Sequence, residues 1–345
     1  MVILKPHGGV GSLRELFQSM KIFHQDCWLN LKSSIMRGLE NYGYNCNINS
    51  VVQCLYATRK VRDYILQLHE NDYHASGTVT GRLKCLIYEM TKDSHSPCDM
   101  SFLIGSLGSH CRVSFDFQED SALAFKCILG AIVDEGGEPA NAIGHLWDVV
   151  KEERVRCLGC NTAESTRSVI NTIPVLMQDN FPDELQEYIR KYSDNTLAIC
   201  NDYYCTTCHI RTQCEITSKV LSLPPAVCMT IARVINIGRS TTAHIVKTEK
   251  RFTFPETLDL KYMKGGAEPP SVDDALYELY AVIAHRGTQY CGHYTAYVQC
   301  HDKWYLADDS LVKLCSWEDV KTTYEAGSLN GVAYMLMYCK QITLH

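Results

Sequence analysis

Apolar residues at Ile48, Val51, Val52 and Leu55 fall at the i, i+3, i+4, i+7 spacing that buries one face of a helix. The spacing predicts a helix that starts at Cys46 and continues, with a break, through Val61, Tyr64, Ile65 and Leu68. The polar interval His69 to Thr80 then reads as a loop between helices. Phe125, Ile128, Leu129 and Ile132 repeat the helical spacing, with Asp120 or Ser121 placed to cap that helix. From Thr212 the pattern changes. Leu223 to Val234, Tyr277 to His285, Gly292 to Val298 and Val332 to Tyr338 are short apolar or alternating runs of the kind that form strands. Gly265 to Asp273 reads as a turn or short linker. Helices early and strands late make the expected fold α+β. Residues 1–36 hold a helical pattern at Leu13, Leu16 and Phe17, to which no function is assigned.

Composition narrows the class. A chain of 345 residues, 46% hydrophobic and 21% charged, can bury a sizeable core as one large domain or two ordinary ones. Its net charge of -6 argues against nucleic acid and suits a basic partner surface or peptide. No apolar run approaches the roughly 18 residues that span a bilayer, so no membrane insertion is expected. The terminal residues lead us to expect neither a secretory signal nor a lipidation box. Without a signal, the eighteen cysteines read as thiols, metal ligands and a nucleophile rather than disulfides. The expectation is an intracellular monomer, cytoplasmic and with the nucleus also open to it. Cys85, Cys127 and Cys228 read as small buried hydrophobes.

The positions that carry chemistry lie at the two ends of the chain. Cys46 sits at a helix start, where free N–H groups and the helix dipole favour the thiolate, the nucleophilic form of cysteine. Gly38 and Gly43 allow a bent approach, and the Asn41 amide, five residues before the cysteine, is available to an oxyanion. A thiol protease also needs an imidazole to move the proton and a polar group to orient that imidazole. Of thirteen histidines, His293 stands out: it begins a strand beside the Arg286 to Cys291 connection, and a short strand after it ends in Asp308 and Asp309. Between the two ends lie two C-x-x-C turns, Cys157/Cys160 and Cys205/Cys208, which supply the four thiolates of a closed structural zinc site. Cys200, Cys214 and His209 are the substitute ligands, and a helix-like D-E-L-Q-E-Y-I (183–189) interrupts the module. A metal-dependent enzyme is a weak alternative, since four cysteines close the site.

The stretch G-L-E-N-Y-G-Y-N-C-N-I-N-S (38–50) resembles the cysteine box of the ubiquitin-specific proteases (USPs), usually G-L-x-N-x-G-N-T-C-Y-M-N-S. Gly38, Leu39, Asn41, Gly43, Cys46, Asn49, Ser50 and, beyond the box, Gln53 match; Tyr44, Asn45, Asn47 and Ile48 depart. Gln118 and Asp120 match the family's Q-Q-D-A-x-E-F box, with Glu119 and Leu123 departing from it. Leu223 to Val234 resembles L-P-x-x-L-x-I-x-L-K-R-F, keeping Arg233 but not the final phenylalanine, and Phe254 to Leu260 resembles F-P-x-x-L-D-L. Gly292 to Tyr297 matches G-H-Y-x-x-Y. Trp304 to Asp309 matches W-Y-x-F-(N/D)-D, with Ala307 for an aromatic, and Ala333 to Tyr338 matches A-Y-x-L-x-Y.

The resemblance runs in family order from Gly38 to Lys340. It implies a papain-like USP fold: an N-terminal extension (1–36) and a catalytic domain (37–341) divided into a helical thumb (about 37–145), zinc-stabilised β fingers (about 146–235) and a β palm (about 236–341). It also implies roles. Cys46 would be the nucleophile, His293 its base, Asp308 the residue that orients His293, Asp309 an auxiliary acid and Asn41 an oxyanion donor. Gln118, Asp120 and Tyr294 would contact the substrate's extended C-terminal tail, and Cys157, Cys160, Cys205 and Cys208 would hold zinc. Residues 277–285 and 316–320, followed by Thr323-Tyr324, look most like the interferon-induced branch of the family. That likeness implies an isopeptidase that strips the interferon-stimulated tandem ubiquitin-like modifier from lysines and restrains interferon signalling. The alternatives are ordinary deubiquitination, or a scaffold at an interferon receptor subunit with proteolysis secondary.

Overall fold

The computed structural model describes residues 36–68, 77–111, 119–177, 182–192, 198–237, 244–263 and 275–340. The sequence readings for residues 1–35, Gln118 and the 265–273 turn lie outside the described residues. Five helices come first: α1 (Cys46–Ala57), α2 (Arg59–Gln67), α3 (Val79–Met90), α4 (Ser101–Cys111) and α5 (Ser121–Glu135). The expected break between α1 and α2 falls at Thr58, whose ψ of 94° leaves the helix and whose hydroxyl donates to the Cys54 carbonyl at 2.8 Å. The polar interval read as a loop ends sooner than expected, because Val79 and Thr80 are already helical. Their N–H groups, which a helix start leaves unpaired, donate to the Glu135 carboxylate at 2.6 and 2.9 Å, and Thr78 caps the same turn.

The strands follow. Val149–Cys157 (β1), Ala163–Ile170 (β2), Ala198–Tyr204 (β4) and Arg211–Ser222 (β5) form an antiparallel sheet in the order β2-β1-β5-β4. A larger sheet combines Ile173–Leu176 (β3), Ala226–Ala232 (β6), Leu276–Gly287 (β10), Gly292–Cys300 (β11), Lys303–Asp308 (β12), Leu311–Cys315 (β13) and Val332–Lys340 (β14) in the order β13-β12-β11-β10-β14-β6-β3. Thr257–Asp259 (β9) pairs with β10, and a separate hairpin joins Val234–Ile237 (β7) to His244–Lys247 (β8). Two further helices are α6 (Leu185–Tyr192) and α7 (Trp317–Lys321), the second opened by a Ser316/Asp319 capping box, and short helical turns at Gly137–Pro139, Ala140–Gly144, Lys261–Met263 and Thr322–Tyr324 complete the described elements. No helix among the described residues is long and apolar enough to cross a membrane.

Alternation along the central strands builds two cores on the faces of one sheet. Ala281, Ile283, Ala296, Val298, Met335 and Met337 face the helices α1 to α5. Val282, Ala284, Tyr297, Leu336 and Tyr338 face the other way, toward α6, Phe252 and Phe254. This explains why β10 reads as a continuous apolar run rather than an alternating one. The expectation of a one-faced α1 needs refinement: all twelve of its residues are buried. Its apolar side packs on β11, β10 and α5. Of its polar residues, Asn49 bonds to Asp309 and Gln53 donates to the Arg37 carbonyl, so these side chains face other parts of the protein rather than water.

Candidate active site

The turn before α1 is closed by asparagines. Asn41 Oδ1 accepts from the Gly43 N–H at 2.8 Å and more distantly from Asn45 N–H at 3.4 Å. Asn45 Oδ1 accepts from the Tyr42 N–H at 2.8 Å. Gly43 adopts a φ of +102°, a region that side chains rarely enter, which is why glycine stands there. The front of the chain reaches the rear at this point. Leu39 N–H donates to the Asp309 carbonyl at 2.8 Å, and a Cβ at Gly38 would lie 2.2 Å from the Ser310 oxygen, so only glycine permits the approach. Asp309 itself has a φ of +50° and is held there by that crossing.

At the start of β11 the His293 ring donates through Nε2–H to Asp308 Oδ1 at 2.6 Å, while Asp309 Oδ2 is 3.9 Å away. The hydrogen bond to Asp308, followed by one to the Cys46 side chain, raises the His293 pKa to about 10. The same bond to His293 pulls Asp308 below the usual carboxylate range. Cys46, His293 and Asp308 are therefore assembled as a thiol, an imidazole and an acid in series, with the sulfur at the N-terminus of α1. Such a set can hold a thiolate beside an imidazolium, attack an acyl carbon, and pass the proton to a leaving amine. Asn41, read as an oxyanion donor, directs one Nδ2 hydrogen to Asp309 Oδ2 at 2.6 Å, which leaves its other amide hydrogen for a ligand.

A cleft of about 230 Å³ adjoins this set and is lined in part by Asp120, Arg233, Lys247, His285, Tyr294 and Tyr334. Asp120 caps α5, accepting from Ala122 and Leu123 N–H at 2.7 and 3.1 Å, and its second oxygen accepts from the Tyr334 hydroxyl. The helix-cap reading of Asp120 holds, and the same side chain lines the cleft. Tyr294 stacks on His285 with ring centroids 4.5 Å apart and lies 5.8 Å from the Tyr334 ring. Tyr334 and His285 were not read from the sequence as part of the site; the position of Tyr334 in the A-Y-x-L-x-Y match was the available signal.

The two histidines of the site act on stability with opposite signs. Burial, then the charges of Lys247 and His293, hold His285 down to about 4. Its unfolded value is about 6.5, so its contribution is fully present above that pH and lost as pH falls through about 4. The contribution of His293 is fully present below about 6.5 and lost as pH rises through about 10. Replacing His285 with asparagine is expected to flatten the fall in thermal stability between pH 6.5 and 4, measured by thermal denaturation across that range. An unchanged slope would refute the assignment.

The second cysteine set also comes together. The sulfurs of Cys157, Cys160, Cys205 and Cys208 lie within 4.8 Å of one another. The Cys157 to Cys208 and Cys160 to Cys205 separations are 3.9 and 3.6 Å. A tetrahedral Zn²⁺ with Zn–S bonds near 2.3 Å sets its sulfurs about 3.8 Å apart, so four cysteines in this arrangement could bind that ion. The backbone N–H of Cys208 is the leading cause that lowers Cys205 to about 6, whereas burial and the neighbouring thiols push Cys208 up to about 12. A divalent cation would remove that disparity by holding both as thiolates. The substitutes weighed from the sequence stand outside the quartet: Cys214, on β5, pairs with Cys157 on β1 and with Cys200 on β4, and His209 lies in the turn after Cys208.

Comparison with known proteins places this geometry in context. The sequence profile described as "Ubiquitin carboxyl-terminal hydrolase" matches residues 37–338. Mouse "Ubl carboxyl-terminal hydrolase 18" is 25% identical over 316 residues, covering 88% of this chain and 85% of the relative. The human protein of the same name is 24% identical over 324 residues, with 88% and 84% covered. Arabidopsis thaliana "Ubiquitin carboxyl-terminal hydrolase 16" is 28% identical over 328 residues, but the match spans only 30% of that longer protein. In three dimensions, a chain of the SAGA Ubp8/Sgf11/Sus1/Sgf73 DUB module bound to ubiquitin aldehyde superposes with a TM-score of 0.73 at 18% identity, covering 97% of this chain and 77% of that one. With a family profile matched over most of its length and that family's fold, the chain belongs to the ubiquitin carboxyl-terminal hydrolase family of cysteine proteases, the deubiquitinases and isopeptidases.

Proposed function

We propose that the chain is a thiol isopeptidase that releases a ubiquitin-like modifier from lysine side chains, and that the modifier is the interferon-stimulated tandem ubiquitin-like protein. The observation that carries the chemistry is the His293 ring held between Asp308 and Cys46 at the start of α1. The Cys46 thiolate attacks the carbonyl of the modifier's terminal glycine, and the carbonyl electrons move to the oxygen, which Asn41 Nδ2 and nearby backbone N–H groups receive. As the C–N bond breaks, the His293 imidazolium gives its proton to the departing lysine amine and a thioester remains. Water, deprotonated by the now neutral His293, attacks that thioester; the modifier leaves with a free carboxylate and the proton returns to the Cys46–His293 pair. Asp308 keeps the ring oriented throughout, and Asp120 and Tyr294 line the cleft proposed to take the modifier's tail.

Two relatives that cover nearly all of the chain are Ubl carboxyl-terminal hydrolases, which supports the choice of a ubiquitin-like modifier. A second reading, release of ubiquitin itself, draws on the relatives named for ubiquitin. Fluorogenic amides of the two modifiers separate the readings: faster release from the tandem modifier is expected, and equal or faster release from ubiquitin would replace the first reading by the second. Removing a single oxyanion donor lowers kcat by roughly a hundredfold or more, which is the loss expected for Asn41→Ala with KM little changed.

A further inference from the structure

Asn45 and Asn49 are four residues apart at the start of α1, so their side chains lie one above the other on the same face. Both are buried, at 0% and 2% exposure, and both amide groups are fully paired. Asn45 Nδ2 donates to the Glu40 carbonyl and to Asn49 Oδ1, each at 2.9 Å. Asn49 Nδ2 donates to the same Glu40 carbonyl at 3.1 Å and to Asp309 Oδ1 at 2.7 Å. Each NH₂ has two hydrogens and each has two acceptors, so the pattern permits one orientation only. Turning Asn49 over would set its oxygen against the Asp309 carboxylate and its NH₂ against that of Asn45. Asn45, the Glu40 carbonyl and Asp309 thus fix together which way Asn49 faces, and Asn49 in turn braces Asp309. The other oxygen of Asp309 accepts from Asn41 Nδ2 at 2.6 Å.

We infer that Asn45 and Asn49 are positioning residues that hold Asp309, and through it the Asn41 amide, in the orientation an oxyanion requires. Neither touches a reacting atom. The inference rests on the isopeptidase reading for its catalytic consequence, though the hydrogen-bond relay itself does not. Sequence comparison within the cysteine box gives Asn45 its interest, because the family's usual residue at that place is threonine. A single hydroxyl cannot serve Tyr42, Glu40 and Asn49 at once, so this chain closes the turn by a different device. The relay also separates the two carboxylates: Asp309 is occupied by two amides, while Asp308 alone is within hydrogen-bond distance of His293.

The test compares kcat, KM and amide hydrogen exchange in the wild type, Asn45→Ala, Asn45→Thr, Asn49→Ala, Asp309→Asn and the Asn45→Ala/Asp309→Asn double variant. Losing one buried hydrogen-bonded link should lower kcat about tenfold in Asn45→Ala, with KM within about twofold and the acid limb of the pH profile unmoved, since His293 and Asp308 are untouched. The double variant should be no slower than Asp309→Asn alone. Asn45→Thr keeps the residue usual in the family and should fold while showing the same direction of change. Gly43 N–H is held by Asn41, and Asn49 makes no bond to the Tyr42–Gly43 turn, so loss of Gly43 exchange protection in Asn49→Ala would report the relay without any need for turnover. If the wild type cleaves neither modifier amide, the isopeptidase reading fails while Gly43 protection still decides the relay. Unchanged Gly43 protection, additive losses in the double variant, or kcat within twofold of wild type in correctly folded Asn45 variants would overturn the inference.

Discussion

Cys46→Ala is expected to lower modifier release by at least about 10⁴-fold, the scale of loss when a covalent nucleophile is removed. The reason is the charge state of the pair. With Asp308 and Cys46 beside it the His293 pKa is raised to about 10, so at neutral pH the ring is an imidazolium that becomes a base toward water only after its proton has passed to the leaving amine, a step that needs the sulfur's attack first. Without the sulfur no other described side chain is placed to attack the carbonyl. The substitution removes one sulfur from a residue 2% exposed and leaves the turn hydrogen bonds of Asn41 and Asn45 in place, so the variant should fold and still bind a modifier. Activity is measured with a fluorogenic amide and binding by calorimetry. Residual release above a hundredth of wild type would show that another group carries the chemistry.

The second large effect concerns the proposed zinc site. Cys205→Ser removes one of four sulfurs that all lie within 4.8 Å of one another, and is expected to reduce bound zinc from one per chain to none. Structural zinc binding contributes apparent free energies of about 10–16 kcal/mol in small zinc modules, so a large fall in thermal stability should accompany the loss. The sheet formed by β1, β2, β4 and β5 should lose hydrogen-exchange protection first, because the quartet joins the β1–β2 turn to the β4–β5 turn. Cys214→Ser is the control. Its sulfur is buried across from Cys157 but outside the quartet, so zinc content should stay at one. Metal analysis that found no zinc in the wild type, or equal loss in both variants, would remove the assignment.

Much of this fold was legible because its signals are local. The spacing of Ile48, Val51, Val52 and Leu55 reported α1, and two C-x-x-C turns reported a cluster whose halves lie far apart in the chain. What spacing could not report was the partner of each polar group. Asn41 reads from sequence as an oxyanion donor, yet whether its amide also holds Asp309 depends on a crossing between residues 38–39 and 309–310 that no local pattern encodes. Asn49 was visible as a match to the cysteine box, while its role required seeing that Asn45, the Glu40 carbonyl and Asp309 together fix its orientation. The start of α3 was misplaced for a similar reason. Its first N–H groups are satisfied by Glu135, a residue more than fifty positions away, rather than by a local cap alone.

One of eighteen cysteines, Cys46, should react with the modifier's terminal carbonyl. A modifier bearing an electrophile in place of its terminal carboxylate, followed by mass-spectrometric mapping, tests this most directly. A single adduct on Cys46 is expected, formed in the wild type, slowed severely in His293→Ala, and absent from Cys46→Ala. An adduct on a different cysteine, or labelling that ignores His293, would contradict the assignment.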